Sequence, residues 1–122
     1  MASEIKATLG VVYANSSLAD TKASATTNIT QAAQEFFAPV VTCTTSDTAL
    51  TISGITTLGW LYMKNLDSTN YVEYGPTSGG AIIVLGRLNA GEECWLRLAQ
   101  GITLRTRANT ASVKVQFKYY GN

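Results

Sequence analysis

The chain has 122 residues, of which 46% are hydrophobic and only 14% charged, and its formal net charge is +1. This length fits one compact domain with a hydrophobic core, and the near-neutral charge excludes bulk electrostatic attraction to nucleic acid or acidic membranes. The charged fraction lies well below the roughly 25% typical of soluble domains, which suits strands whose solvent side is hydroxylated rather than charged, or an outer surface that neighbours in an assembly partly cover.

The first six residues, MASEIK, lack the basic start and the apolar segment of a secretion signal. No run approaches the roughly 20 apolar residues that a membrane span requires. We therefore expect synthesis in a cytoplasm and no membrane partner. In that reducing compartment Cys43 and Cys94 are expected to be buried free thiols, a Cys43–Cys94 disulfide being the alternative.

The N-terminal region is predicted to contain two strands, over residues 5–13 and 21–30. Large apolar side chains are sparse between Asn15 and Asn28. We therefore expect residues 1–30 to form an N-terminal strand with an extended arm, and residues 31–122 to form the main β-sandwich of a single-domain chain. The alternative is that residues 1–30 are an edge strand and a loop of that sandwich.

The next segment is predicted to begin with one helical turn over residues 31–37, which Pro39 ends. Two short strands follow, over residues 39–45 and 49–53, on either side of a turn at Ser46-Asp47. Residues 59–66 are apolar on both faces, which predicts a strand in the middle of the sandwich.

Residues 70–74 are predicted to return from residues 59–66 as the second arm of a hairpin, after a turn at Asp67-Ser68-Thr69. A loop is expected over residues 75–80. A further strand over residues 81–85 and a turn over residues 88–92 complete this part of the chain.

The C-terminal third alternates between apolar and polar residues in three runs, at 93–98, 102–105 and 112–119, with Trp95 the one apolar residue at a polar position. The breaks between the runs are short, so three consecutive antiparallel strands are expected. The whole chain then contains eight or nine short strands at a spacing of about 10 residues, which is typical of an all-β antiparallel β-sandwich. A jelly roll is one topology of this kind, and periodicity alone does not determine the strand order.

No catalytic residue, cofactor site or metal site is predicted. The absence of histidine removes the commonest general base and the Ser–His and Cys–His nucleophile pairs, and it rules out a Cys/His metal cage. The few carboxylates stand mostly at turns and strand ends, where solvated side chains are the rule. The glycine-rich loop at residues 75–80 lacks the Lys-Ser/Thr pair of a phosphate-binding loop.

Four side chains are candidate interface residues: Trp95, Arg97, Arg105 and Arg107. If Leu96 faces the core, Trp95 points away from it and can anchor another subunit. The arginines suit an interface with a polar or acidic partner, or are ordinary outward-facing strand residues. The aromatic residues, in turn, are core and cross-strand pairs or a stacking platform for sugars or bases.

Four segments carry a resemblance to a known class of protein. Residues 59–75 read GWLYMKNLDSTNYVEYG, and they are followed by LNAGE at 88–92, LRLA at 96–99 and ASVKVQF at 111–117. This order resembles small virion structural proteins of tailed bacteriophages and covers about half of the chain. Its motifs specify turns: Asn65 and Asn70 are expected to satisfy backbone groups around residues 67–69, and Gly75 and Gly91 to adopt positive φ.

The resemblance implies a non-enzymatic virion structural protein, assembled in the host cytoplasm. The favoured role is a capsid cement (decoration) protein that stabilises the shell through contacts with the major capsid protein or another virion protein, as a homo-oligomer and in particular a homotrimer. The alternatives are a tail, baseplate or fibre component, and a carbohydrate-binding or adhesin module.

Overall fold

The computed structural model describes residues 4–32 and 34–122, and these residues form an all-β structure without a helix, hence without a helix that could cross a membrane. The chain divides into two compact units, Met1–Ala33 and Gln34–Asn122. The strands are β1 Ile5–Asn15, β2 Leu18–Ile29, β3 Phe36–Phe37, β4 Val40–Cys43, β5 Thr48–Ala49, β6 Leu58–Asn65, β7 Val72–Ser78, β8 Ala81–Ile82, β9 Gly86–Leu88, β10 Glu93–Arg97, β11 Leu104–Ala108 and β12 Val113–Gly121.

The first unit contains one long antiparallel hairpin, β1–β2, with Ser16 and Ser17 between the strands. Ser16 has the positive φ, 55°, that a tight two-residue turn requires at its first position. The strands predicted over residues 5–13 and 21–30 are confirmed, and both are longer than expected. Residues 1–3 of the predicted arm lie outside the described residues.

The second unit is built from two antiparallel sheets, which confirms the predicted β-sandwich architecture. The first sheet has the order β10-β6-β12, with β3 and β4 along the far edge of β12. The second has the order β5-β11-β7, with β8 and β9 along the far edge of β7. As the apolar sequence of residues 59–66 predicted, β6 is a central strand.

The pairings of the second unit are nested along the chain. Its first strands, β3 and β4, pair with its last strand, β12, and β5 pairs with β11. Inside these, β6 pairs with β10, and β7 pairs with β8 and β9. The strands of the second unit thus pair first with last, and each further pair lies between the strands of the previous pair in the sequence.

Both sheets contribute their inner faces to a single core. In β12 the alternation predicted from the sequence is confirmed, since Val113, Val115, Phe117 and Tyr119 are buried. The other members of the buried cluster are Cys43, Leu61, Met63, Val72, Leu88, Leu104 and Ala108. Burying one large apolar side chain contributes about 1.5–3 kcal/mol, so this core is the main source of stability of the second unit.

Three predicted strand pairings are wrong: that of β6 with β7, and those of β11 with β10 and with β12. Strands β6 and β7 belong to different sheets and do not form a hairpin, and β11 lies in the second sheet while β10 and β12 flank β6 in the first. The reason is that alternation shows which face of a strand is buried and not which strand lies beside it. Connections short enough for a hairpin instead cross from one sheet to the other, as does the turn predicted between residues 39–45 and 49–53.

The expected helical turn over residues 31–37 is also wrong for the described residues, although Ala33 lies outside them. Phe36 and Phe37 form β3 because their rings pack on Tyr120 and Tyr119 of β12, with centroids 5.1 and 5.8 Å apart. Contacts with a distant strand here outweigh the local helical preference.

The predicted loop over residues 75–80 is mostly strand, because β7 continues to Ser78 and only Gly79 and Gly80 form the turn. The predicted strand over residues 81–85 ends at Ile82, and pairing resumes at β9. The break between β8 and β9 and the additional strand β3 contribute to the twelve strands that the described residues form, more than the eight or nine predicted.

The two glycines expected to need positive φ behave differently. Gly91 has a φ of 78°, as predicted. Gly75 does not have positive φ, but a Cβ there would overlap the backbone carbonyl oxygen of Ile83. Because Gly75 has no Cβ, the segment after β8 can lie directly against β7. There the backbone N–H groups of Ile83 and Leu85 donate hydrogen bonds to the carbonyls of Pro76 and Tyr74.

The two cysteines are free thiols, and the disulfide alternative is not formed. Cys43 is buried in the core, whereas Cys94 is half-buried at the edge of the first sheet. Burial raises the pKa of both thiols, which favours the neutral form and lowers their reactivity.

Candidate functional site

The outer face of the first sheet carries a cluster of aromatic side chains, here called the aromatic face: Phe36, Trp60, Tyr62, Trp95 and Tyr120. Trp60, Tyr62 and Tyr120 stand at positions that alternate with the buried residues of β6 and β12, so the pleat that buries Leu61 directs Trp60 outward. The strand register then places Trp95 opposite Tyr62, and Tyr120 opposite Trp60.

The rings of this face pack on one another. Trp60 and Trp95 are stacked, with centroids 4.8 Å apart and planes at 15°. Tyr120 meets Trp95 edge-on at 5.5 Å and lies 5.1 Å from Phe36. These separations fall in the range in which aromatic pairs attract one another, so the rings stabilise each other's positions.

Two cationic side chains, Arg97 and Lys118, lie at the margin of the aromatic face. The guanidinium of Arg97 lies 5.3 Å from the centroid of Trp60 and donates to Oδ1 of Asn122 at 2.6 Å. On the other side, the ammonium of Lys118 lies 5.2 Å from the ring of Tyr62. The face therefore combines an apolar centre with a polar, partly cationic margin.

Tyr62 also donates its hydroxyl proton to the carboxylate of Glu93. This hydrogen bond, with burial and the negative charge of Glu93 in addition, raises the pKa of Tyr62 to about 12. The phenol therefore stays protonated at neutral pH, and the pair fixes the Tyr62 ring beside Trp95.

The other two candidate interface residues lie on the outer face of the second sheet. Arg105 pairs with Asp47 at 2.9 Å and donates to the carbonyl of Gly80 at 2.8 Å. Arg107 pairs with Glu73, also at 2.9 Å. The structure thus brings Trp95 and Arg97 onto the same sheet face and places Arg105 and Arg107, each already engaged in an ion pair, on another.

A second exposed apolar surface, which the sequence did not suggest, lies on the hairpin of the first unit. Val12 is 78% exposed and Leu9 65%. Further exposed large apolar side chains of the hairpin are Val11, Tyr13 and Leu18. The run of uncharged residues from Ala7 to Asn15 was the available signal, but its alternation with small and polar residues is equally typical of a half-buried strand.

From the sequence alone, the other rings of the aromatic face could be identified only as candidates for an outward-facing position near Trp95. Trp60 and Tyr62 alternate with Leu61 and Met63, which indicates a common outward direction once the inner face is known. Phe36 could not be assigned in this way, because its position depends on a pairing with β12.

No protein-family model matches the chain, and no curated protein is detectably similar to it in sequence. Across residues 4–32 and 34–122, no group of three His, Cys, Asp or Glu side chains is arranged to hold a metal ion.

Proposed function

We propose that the protein is a non-enzymatic structural component of a virus particle, and that it attaches to a neighbouring virion protein through the aromatic face. The resemblance of residues 59–117 to small virion structural proteins of tailed bacteriophages supports the class. The low charged fraction, 14%, supports a molecule that works with part of its surface covered.

The aromatic face is the observation that carries the proposal. Binding energy at protein interfaces concentrates in a few Trp, Tyr and Arg side chains at the centre of the contact, surrounded by a polar margin. Trp60, Trp95 and Tyr120 supply such a centre, and Arg97 stands beside it. Because the rings are already ordered by their mutual packing, little side-chain entropy is lost when a partner covers them.

The nested strand pairing supports a finer description of the fold. Treating β3 with β4, and β8 with β9, as interrupted single strands gives eight strands in two sheets of four. First-with-last nesting in two such sheets is the arrangement of a jelly roll, a fold that viral capsid and lectin domains use. We infer a jelly roll here, and it agrees with a virion role without requiring one.

Within the virion class, we favour a capsid cement protein that contacts the major capsid protein. The chain is short, and its described strands make up a compact sandwich and one hairpin rather than a fibrous repeat. A tail, baseplate or fibre component is the alternative that the same features allow.

The test is binding of the purified chain to empty shells of the major capsid protein encoded in the same genome, measured by co-sedimentation. Trp95→Ala should weaken binding by about thirtyfold or more, because truncating a central aromatic residue of an interface typically costs at least about 2 kcal/mol. Tyr71→Ala is the matched control, since Tyr71 is a half-buried aromatic residue outside the aromatic face. Equal binding of the wild type and Trp95→Ala would refute the proposed contact.

A carbohydrate-binding module remains the second candidate, since tryptophan rings on the outer face of a sheet also bind sugars. Trp60 and Trp95 stack on each other, however, and so each covers a ring face that a sugar would need. Saturable glycan binding that is lost in Trp95→Ala, without any association with shells, would favour that candidate instead.

A further inference from the structure

The hairpin of the first unit has two outer strand edges. Within the described residues, β1 and β2 pair only with each other, as a two-stranded sheet. Strands of 11 and 12 residues extend over about 37–41 Å at about 3.4 Å per residue. A lone two-stranded ribbon is at best marginally stable in water, so a third strand along either edge would stabilise it.

The two edges differ in the features that prevent strand pairing. Natural edge strands are protected by charged side chains and by bulges. β2 carries Asp20 and Lys22 in its first half, whereas β1 has no charged residue and no proline from Ala7 to Asn15. By this criterion β2 is the protected edge and β1 the open one.

The backbone geometry leads to the same assignment. The register shifts between the pairs Leu9–Ala25 and Val11–Lys22, so that Gly10 of β1 faces two residues of β2, Ala23 and Ser24. The extra residue therefore bulges β2, which disturbs its outer edge. β1 has no such insertion and offers a regular row of backbone donors and acceptors.

We infer that the open edge of β1 pairs with the same edge of a second copy of the chain, antiparallel and centred on Gly10, to form a four-stranded sheet. This contact is isologous, because the same surface is used on both copies. It joins copies in twos, unlike the trimer that the resemblance implied. It concerns the hairpin alone and stands independently of the aromatic face.

The sequence of β1 is self-complementary in this register. Leu9 lies opposite Val11 of the second copy, and Thr8 lies opposite Val12, so apolar and β-branched side chains form the cross-strand pairs. Lys6 lies opposite Ala14, and so no like charges face each other. At the centre, Gly10 faces Gly10 of the second copy, where two larger side chains would otherwise meet.

Two matched double variants test this contact by the mass and dissociation constant of the full chain, measured by sedimentation equilibrium. Leu9→Lys/Val12→Lys charges the open edge. Thr21→Lys/Ala25→Lys is the control, because these residues lie directly opposite Val12 and Leu9 in the hairpin, are exposed, and receive the same added charge on β2.

We expect the wild type to be a dimer, or an oligomer of dimers. The β1 variant should raise the dimer dissociation constant at least tenfold, and the β2 variant should change it less than threefold. The fluorescence of Trp60 and Trp95, which lie in the second unit, should be the same in all three proteins and so report an intact sandwich. A monomeric or trimeric wild type, or equal effects of the two variants, would overturn the inference.

The register is tested by oxidative cross-linking of mixed chains. A Thr8→Cys chain mixed with a Val12→Cys chain should form a disulfide-linked pair, whereas either variant alone should not exceed the wild type, whose Cys43 and Cys94 set the background. Equal cross-linking in the separate variants would refute the Gly10-centred pairing. Failure here would leave the shell-binding test untouched, because that test depends on Trp95.

Discussion

Asn65 shows how a single side chain can connect the two sheets. It is fully buried at the end of β6, and its Nδ2 donates to the carbonyls of Asn70 and Leu88 at 2.9 and 3.0 Å. Its Oδ1 accepts the backbone N–H of Asp67 at 2.8 Å. Leu88 belongs to β9 of the second sheet, so the amide holds the crossover from β6 and the opposite sheet together.

We predict that Asn65→Ala lowers the free energy of unfolding by about 2–4 kcal/mol, because it leaves buried backbone groups without their hydrogen-bond partners. The measurement is urea unfolding followed by tryptophan fluorescence. Asn89→Ala, at an exposed turn position, should change the stability by less than about 0.5 kcal/mol. A comparable loss in both variants would contradict the role given to Asn65.

The turn after Asn65 was predictable from its residue types. Short polar side chains favour such turns because they can replace missing backbone partners. The carboxylate of Asp67 accepts the N–H groups of Thr69 and Asn70 at 2.9 and 2.6 Å, and these bonds lower the pKa of Asp67. The backbone contact at Gly75 was not predictable, since Ile83 reaches it only through the tertiary fold.

At the scale of the elements, the edge formed by β8, β9 and the residues between them depends on close backbone packing. The segment from Ile83 to Leu85 carries exposed apolar side chains, yet its backbone remains bonded to β7. This arrangement is possible only because Gly75 presents no side chain to it.

Gly75→Ala should therefore destabilise the second unit by about 2 kcal/mol or more, because the added methyl group meets backbone atoms that cannot rotate away. Thermal unfolding monitored by circular dichroism measures the effect. Gly101→Ala provides the comparison: its φ of 80° is unfavourable for alanine, but the space around it is open, and so it should cost about 1 kcal/mol. A smaller effect at Gly75 than at Gly101 would contradict the packing argument.

Strand positions were easier to predict than strand neighbours. The alternation of β12 identified its inward residues correctly, because burial of one face imposes a period of two whichever strand lies alongside. The same pattern led to the wrong neighbours for β10, β11 and β12, since loop length does not distinguish a hairpin from a connection between sheets. For the aromatic face, the outward direction of Trp95 was predictable, but its stacking on Trp60 required the register of β6 and β10.

At the scale of the whole molecule, the two units differ in how much of their apolar surface is buried. Every member of the buried core cluster belongs to the unit Gln34–Asn122. The hairpin in the other unit exposes most of its large apolar side chains, and among the described residues its strands pair only with each other. The buried core and the proposed pairing edge of β1 thus lie in different units of the chain.

Removal of residues 1–33 should consequently leave the sandwich folded, with a melting temperature within about 4 °C of the full chain, which corresponds to less than about 1 kcal/mol. Circular dichroism and the fluorescence of Trp60 and Trp95 check this result. Sedimentation of the same variant should show a monomer. A truncated chain that fails to unfold cooperatively would mean that the sandwich needs residues 1–33.

The position of β12 has a consequence for biosynthesis. Three of the four pairings in its sheet, those with β3, β4 and β6, involve this last strand, so the sheet cannot close until the ribosome has nearly finished the chain. The hairpin, by contrast, is complete once Ile29 has emerged, several seconds earlier at a translation rate of about 5–20 residues per second. Hairpins of nascent chains on one messenger are therefore complete while residues 34–122 of the same chains are still unfolded.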